Sequence, residues 1–486
     1  MFDFKDMTIT KSYKGLDHAN PLITQRFGAD PYAMVYDGRV YLYMTADVFE
    51  YDGKGELAEN SYAKIDRINV ISTDDMANFT DHGSVLVASL KGSAKWAKNS
   101  WAPAAVWKEI DGKPRFFLYF ADAGGGIGVL QADSPTGPFK DPLGEALISS
   151  QTPNCADVVW LFDPAVLIDD DGRAYIYFGG GVPEGRQADP GTARVVELGA
   201  DMISIKGAPQ PIDAPYLFED SGIHKAGGRY FYTYSTNFQV DEAGTEKYGI
   251  HDGEIACLVS DNPMGPFRFQ GVILKNPGSV FGLSGNNHHC VFSFQGRWYI
   301  AYHTRVLEKA MGVEKGYRCT HIDAFEMRKD GTIGLIPQTL KGREQLKYVD
   351  ACAKNRAANF AVMGGVDTVA SDSVSSYYGS GNMALSDIQS GDFIKVAGVD
   401  FGSGELSSVC MTARNRKGAY ASGGVKIVLD EPEGRELACL SVSNLPENGD
   451  FTECRAELFC GAKGVHDLYF IFAGEGYEIE EWQFLK

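Results

Sequence analysis

Three acids, a histidine and a tryptophan of this 486-residue chain fall at nearly one register of a repeated hairpin. Asp30 lies 8 residues before Gly38, Asp163 lies 9 before Gly172, and Glu219 lies 9 before Gly228. His288 lies 8 before Gly296, and Trp101 lies 11 before Gly112. Carboxylates gathered round one pocket can hydrolyse a glycosidic bond. One acid, protonated, donates to the leaving oxygen, while another, ionised, activates water or attacks the sugar. A third nearby carboxylate keeps the acid protonated by like-charge repulsion. Taken alone, the Asp-Pro steps at Asp30-Pro31 and Asp163-Pro164 are ordinary turn signals; the shared register is what makes them candidates. His288 and His289 could bind a metal or brace a loop, and without further ligands at strand or helix spacing the bracing role is favoured. Trp101 reads equally as a sugar-stacking platform and as core. Tyr51, Trp96 and Trp160 are open in the same way.

The elements that position these residues are glycine-turn hairpins. Val35-Tyr36-Asp37-Gly38, Glu109-Ile110-Asp111-Gly112, Asp170-Asp171-Gly172, Gly227-Gly228 and Gln295-Gly296 each lead into an aromatic, strand-like run. Ser134-Pro135-Thr136-Gly137-Pro138-Phe139 matches Asn262-Pro263-Met264-Gly265-Pro266-Phe267, with Asp75-Met76-Ala77-Asn78-Phe79 as a degenerate copy. Each copy would turn the chain towards an outer strand. Helical periodicity is hard to find between residues 20 and 340. Five four-stranded units without helices predict an all-β, five-bladed β-propeller over residues 1–345, whose innermost strands bring the five marked residues to one axial mouth.

Beyond residue 345 the texture changes. Residues 348–359 read as a linker, and alternating runs such as Phe393–Phe401, Gly424–Leu429 and Gly464–Phe472 predict a jelly-roll-like β-sandwich over 346–486. A net charge of −19 argues against nucleic acid as a partner. No apolar run of about 18 residues exists to span a membrane. Nine scattered cysteines without a Cys-x-x-Cys pair disfavour zinc. Free thiols and an N-terminus without an apolar signal core lead to the expectation of a cytoplasmic protein. No organic cofactor is expected.

The motifs Ala29-Asp30-Pro31, Trp101-Ala102-Pro103, Phe162-Asp163-Pro164, Phe218–Lys225, Asn287-His288-His289 and Ala301–Arg305 resemble glycoside hydrolase family 43 across residues 20–340. The resemblance implies an inverting mechanism. Asp30 would be the general base, Glu219 the general acid and Asp163 the residue that raises the pKa of Glu219 and orients it. The acid and base of an inverting pair stand about 6.5–9.5 Å apart. A histidine at the position of His288 would approach a calcium ion or water cluster on the axis, with water supplying most of the shell of such an ion. Arg318 would hydrogen-bond the terminal sugar. Phe218–Lys225 and Arg318–Asp323 look most like members that release α-L-arabinofuranose from arabinose-bearing oligosaccharides. β-D-Xylosidase is the alternative, and a non-catalytic sugar-binding propeller the rival from another class. The C-terminal segment resembles a family 6 carbohydrate-binding module. The positions matching its usual sugar-binding residues are Asp387, Phe451 and Glu480 or Glu481, with Ala358 where a calcium-binding glutamate is usual. One aromatic without a partner makes a poor stacking site, so this sandwich is expected to be mainly structural.

Overall fold

Four of the five glycine turns close as two-residue hairpins. Asp37-Gly38, Asp111-Gly112, Gly227-Gly228 and Gln295-Gly296 have positive φ at both central residues. That left-handed pair matches the twist of the flanking strands, and a glycine at the second place adopts it without steric cost. The turn at Asp170-Asp171-Gly172 is wider: the Asp169 N–H donates to the Arg173 carbonyl at 2.7 Å.

The computed structural model describes residue 4 and residues 7–371, 381–416, 421–443, 445–447 and 449–486. It divides into two compact units, one of residues 26–70 and 84–342, the other of residues 1–25, 71–83 and 343–486.

In the first unit the chain lays down antiparallel sheets in sequence order. The first begins with Ala29–Tyr36, Arg39–Thr45 and Arg67–Thr73. The second runs Trp101–Ile110, Lys113–Ala121, Gly126–Ala132 and Ile148–Ser149. The third runs Ala165–Ile168, Ala174–Phe178, Ala193–Leu198 and Ile205–Ile212. The fourth runs Leu217–Ala226, Arg229–Thr236, Ile255–Ser260 and Arg268–Leu274. A fifth, of His289–Phe294, Arg297–Thr304 and Cys319–Phe325, has three strands among the described residues rather than the expected four. After Phe325 the chain turns back, and the Ile336 N–H donates to the Ile273 carbonyl of the fourth sheet. The first strand of each sheet packs on the first strand of the next, and that of the fifth packs back on Ala29–Tyr36. The sheets therefore stand radially, as in a β-propeller.

Apolar side chains fill the wedges between neighbouring sheets, for example Met34, Val70, Phe116 and Leu118 between the first and second. The Ser-Pro-Thr-Gly-Pro-Phe repeat has a packing role there. Tyr43 Oη of the first sheet donates to the Pro135 carbonyl, and Tyr177 Oη of the third donates to the Pro263 carbonyl. Each repeat thus satisfies a buried phenol across a wedge, where an unmet hydroxyl would be costly.

The second unit holds two packed sheets. One contains Phe393–Asp400, Val465–Glu475 and Ser422–Leu429; the other contains Met383–Ser386, Tyr477–Leu485 and Ser408–Asn415. Val396, Phe470, Phe472, Trp482 and Phe484 form its core. Its discontinuous pieces are tied in by polar bonds. Asn78 exchanges two hydrogen bonds with the main chain of Ala397, and Thr10 Oγ1 donates to Asp392 Oδ1 at 2.7 Å. The buried Lys14 ammonium donates to the carbonyls of Ala19, Leu22 and Ala361. Among the described residues no helix is long and apolar enough to cross a membrane.

Candidate active site

A β-bulge sets the mouth of four of the sheets. In the first sheet Ala29 pairs with Thr45 and Tyr32 with Tyr43, so Asp30 and Pro31 oppose the single residue Met44. Ala102 and Pro103 oppose Phe120 in the second sheet, and Asp220 and Ser221 oppose Tyr234 in the fourth. In the third, the Gly179 N–H donates to the Phe162 carbonyl and Ala165 pairs with Tyr177, leaving Asp163 and Pro164 opposite Phe178. The bulged residues Asp30, Ala102, Asp163 and Asp220 all have φ between 40° and 71°. Non-glycine residues seldom enter that region, and such strain is concentrated at functional sites. Bulges re-aim side chains next to such sites. The turn-counted register therefore shifts by one: Glu219 and Trp101 occupy the place of Ala29 and Phe162, and Asp220 is the backbone counterpart of Asp30 and Asp163.

These residues surround one pocket of about 310 Å³, lined by Asp30, Trp101, Asp163, Glu219, His288 and Arg318. All six residues singled out from the sequence meet there. Trp160 joins them, together with Tyr62 and Asn286, which carried no repeat signal. Trp96 instead packs on Phe120 and donates to Asp141, and Tyr51 is 57% exposed on the surface. Trp101 is anchored through its indole N–H to the Tyr62 carbonyl at 3.0 Å.

The two ends of the acid set are treated in opposite ways. Arg318 Nη1 donates to Asp30 Oδ1 at 3.0 Å, while its Nε and Nη2 grip Asp47 at 2.9 and 2.8 Å. His303 Nε2 lies 2.9 Å from the Asn286 carbonyl and so carries the proton, leaving Nδ1 to accept the Asp30 N–H at 3.2 Å. Burial pushes the Asp30 carboxyl up, but the Arg318 guanidinium, its largest opposing influence, helps hold the group well below the usual carboxylate range. Among the described residues no cation pairs with Glu219, and its Oε1 is buried without a hydrogen-bond partner. Burial, then the charges of Asp163, Asp30 and Asp220, push Glu219 well above its ordinary value, and Arg318 offsets only part of this. Asp163 is raised by burial and by Asp30, but its Oδ2 accepts the Asp220 N–H at 2.8 Å. That bond favours its charged form. Of this coupled pair, the proton therefore belongs on Glu219.

His288 sits beneath the acids. Its Nδ1 is 3.5 Å from Asp30 and 3.8 Å from Asp163, and its Nε2 is 3.1 Å from Asp220 Oδ1. Burial pushes it down to about 3, against the pull of Asp30. As an axial calcium site this donor set is thin. Calcium prefers six to eight oxygens, and among the described residues no group of three or more His, Cys, Asp or Glu side chains is arranged to hold a metal ion. The protein's own donors do not form a calcium cage.

Arg318 is itself positioned by a buried carboxylate. Glu308 Oε2 accepts the successive N–H groups of Lys315, Gly316 and Tyr317 at 2.7–2.9 Å, fixing the loop that delivers Arg318 to Asp30. Glu308 and Asp47 escaped the sequence reading because neither recurs from sheet to sheet, and His303, inside the Ala301–Arg305 motif, was given no role of its own.

In the sandwich, Phe451 carries the guanidinium of Arg414 over its ring at 4.4 Å, and Arg414 is held by Glu478 at 2.7 Å. Asp387 pairs with Arg416 at 2.6 Å, and Ala358 is fully buried. The Phe451 ring is thus covered by the chain's own arginine.

Residues 18–333 match glycosyl hydrolases family 43, and residues 356–486 match the carbohydrate binding module of family 6. An arabinoxylan arabinofuranohydrolase of Paenibacillus polymyxa is 44% identical over 96% of this chain and 74% of its own length. One from Bacillus subtilis (strain 168) is 42% identical over 99% of this chain and 94% of its own. The crystal structure of a family 43 arabinoxylan arabinofuranohydrolase from Bacillus subtilis, in complex with cellotetraose, superposes with a TM-score of 0.91 at 41% identity, covering 98% of this chain and 99% of that one.

Proposed function

Because this chain belongs to glycosyl hydrolase family 43, we propose that it releases terminal α-L-arabinofuranose from arabinoxylan-derived chains with inversion of configuration. The observation that carries the reading is the opposite charge state of two carboxyls in one pocket. Asp30, pinned as an anion by Arg318, is the general base that takes a proton from water. Glu219, buried, unpartnered and surrounded by acids, is the general acid that protonates the leaving oxygen. Asp163 keeps that proton on Glu219, and the breaking of the glycosidic bond is completed by the water activated at Asp30. Trp101 offers an apolar wall for the sugar, and Arg318 a donor to its hydroxyls. A pocket of about 310 Å³ is at the small end for ligand sites and suits removal of one terminal sugar. The high identity to two arabinoxylan arabinofuranohydrolases supports the substrate. The ring of packed first strands supports five blades.

The deciding experiment compares 4-nitrophenyl α-L-arabinofuranoside with the β-D-xylopyranoside for wild type and Glu219→Ala. Arabinoside cleavage should lead, and the mutant should lose about 10²–10⁴-fold in kcat/KM. The first-formed sugar, read by proton NMR, should be β-arabinofuranose. Preference for the xyloside would keep the mechanism and replace the substrate with that of a β-xylosidase, since a xylose ring is of similar size.

A further inference from the structure

The bulge series that places Asp30 and Asp163 contains one more acid, Asp220, and nothing in the reaction described so far uses its side chain. Asp220 is fully buried, with φ at +71°. Its main-chain N–H already holds Asp163. Its carboxyl reaches down the axis, where donors from both histidines converge. Oδ1 accepts the main-chain N–H of His289 at 3.2 Å and stands 3.1 Å from His288 Nε2, while Oδ2 stands 2.5 Å from His289 Nδ1. Thr233 Oγ1 lies 2.7 Å from His289 Nε2 and can donate its hydroxyl proton to that nitrogen. Asp220 thus meets both rings: it hydrogen-bonds His289 Nδ1, whose Nε2 bonds Thr233, and it faces His288 Nε2 at ion-pair distance. The other nitrogen of that ring, His288 Nδ1, faces Asp30 at 3.5 Å and Asp163 at 3.8 Å.

We propose that Asp220 is a positioning residue for the hydrolysis. Its carboxyl fixes the proton arrangement and ring orientation of His288, and through that ring the placement of the general base and of its neighbouring carboxylate. The inference rests on the assignment of Asp30 and Glu219 as base and acid. Glycine would serve the left-handed bulge at no steric cost, and the aspartate found there adds a carboxyl with buried side-chain partners. Other acids near the mouth are already committed: Asp47 to Arg318, and Glu308 to the loop before it.

The test is a double-mutant cycle on the full chain, with Asp220→Ala, His288→Ala, the double variant and Glu219→Ala as control, assayed on 4-nitrophenyl α-L-arabinofuranoside. Asp220→Ala should lower kcat about 10–100-fold, with KM changed less than threefold. The double variant should lose no more than the larger single loss, since both changes cut one chain of contacts. Asp220→Asn, which keeps one acceptor oxygen, should fall between wild type and Asp220→Ala; it also carries the test if the alanine variant fails to fold. Losses that multiply in the double variant, or wild-type kcat in Asp220→Asn and Asp220→Ala alike, would overturn the proposal. Full activity in Glu219→Ala would instead overturn the acid assignment on which it rests.

Discussion

Arg318 is the one buried cation among the side chains that line the pocket, and most of the chemistry follows from where it points. It faces Asp30 and leaves Glu219 bare, so two carboxyls a few residues from equivalent backbone positions take opposite proton states. The acid limb of the kcat/KM profile reports Asp30, whose pKa is held below its ordinary value of about 4. Arg318→Ala removes the main opposing charge and should move that limb upward in pH, besides raising KM; an unmoved limb in the variant would contradict the assignment. The basic limb reports Glu219, whose activity as an acid is lost as pH rises through its elevated pKa. The same shift acts on stability. A group whose pKa is raised on folding stabilises the protein below its unfolded value and ceases to do so as pH rises through the folded value. Glu219→Gln, neutral throughout, should therefore be inactive but melt higher than wild type, with the difference larger at pH 8 than at pH 5. Equal melting temperatures at both pH values would mean that Glu219 is not a strained acid. The three acids could be read from the chain because each stands at a countable distance from a glycine turn. Asp47 could not, since its partner Arg318 lies 271 residues away, and Asp220, 8 residues before Gly228, was passed over for its neighbour Glu219.

At the scale of elements, the glycine turns were legible and the bulges were not. A two-residue turn demands left-handed backbone, and Asp-Gly or Gly-Gly announces it. The bulge is announced by nothing uniform: Asp-Pro, Ala-Pro, Asp-Pro and Asp-Ser fill the same place. Counting from the turns thus put Glu219 level with Asp163, each 9 residues before its glycine, whereas the backbone puts it one residue earlier. The incomplete fifth sheet was equally hidden, because the return of Ile336 to the fourth sheet is a tertiary contact. The loop before Arg318 gives a prediction at this scale. Glu308→Ala strips the acceptor from three successive N–H groups, each costing about 1–3 kcal/mol when left buried and unmet. The variant should melt several degrees lower. It should also lose kcat/KM beyond what unfolding explains, because Arg318 is no longer delivered squarely to Asp30. Loss of stability with unchanged kinetics of the folded fraction would separate the loop from the site.

For the whole molecule, the sandwich raises the question of what it contributes to action on a polymer. With Arg414 stacked over Phe451 and Asp387 tied to Arg416, these two positions offer a sugar no free ring. Phe451→Ala in the full chain should leave retention on insoluble arabinoxylan unchanged; a tenfold drop would assign a sugar site to this face. The boundary between domains was placed near residue 345 from texture alone, and texture cannot reveal that residues 1–25 and 71–83 belong to the same unit as residues 343–486. Such membership is written in pairs like Asn78 with Ala397, 319 residues apart.

That interleaving makes the protein a poor subject for modular cutting. Ending the gene near codon 345 would not free an independent enzyme. It would strand the first 25 residues and the 71–83 hairpin without the strands that complete them, exposing Lys14, Asn78 and unpaired β-edge to solvent. Grafting a different binding module onto this catalytic scaffold calls for three coordinated splices rather than one.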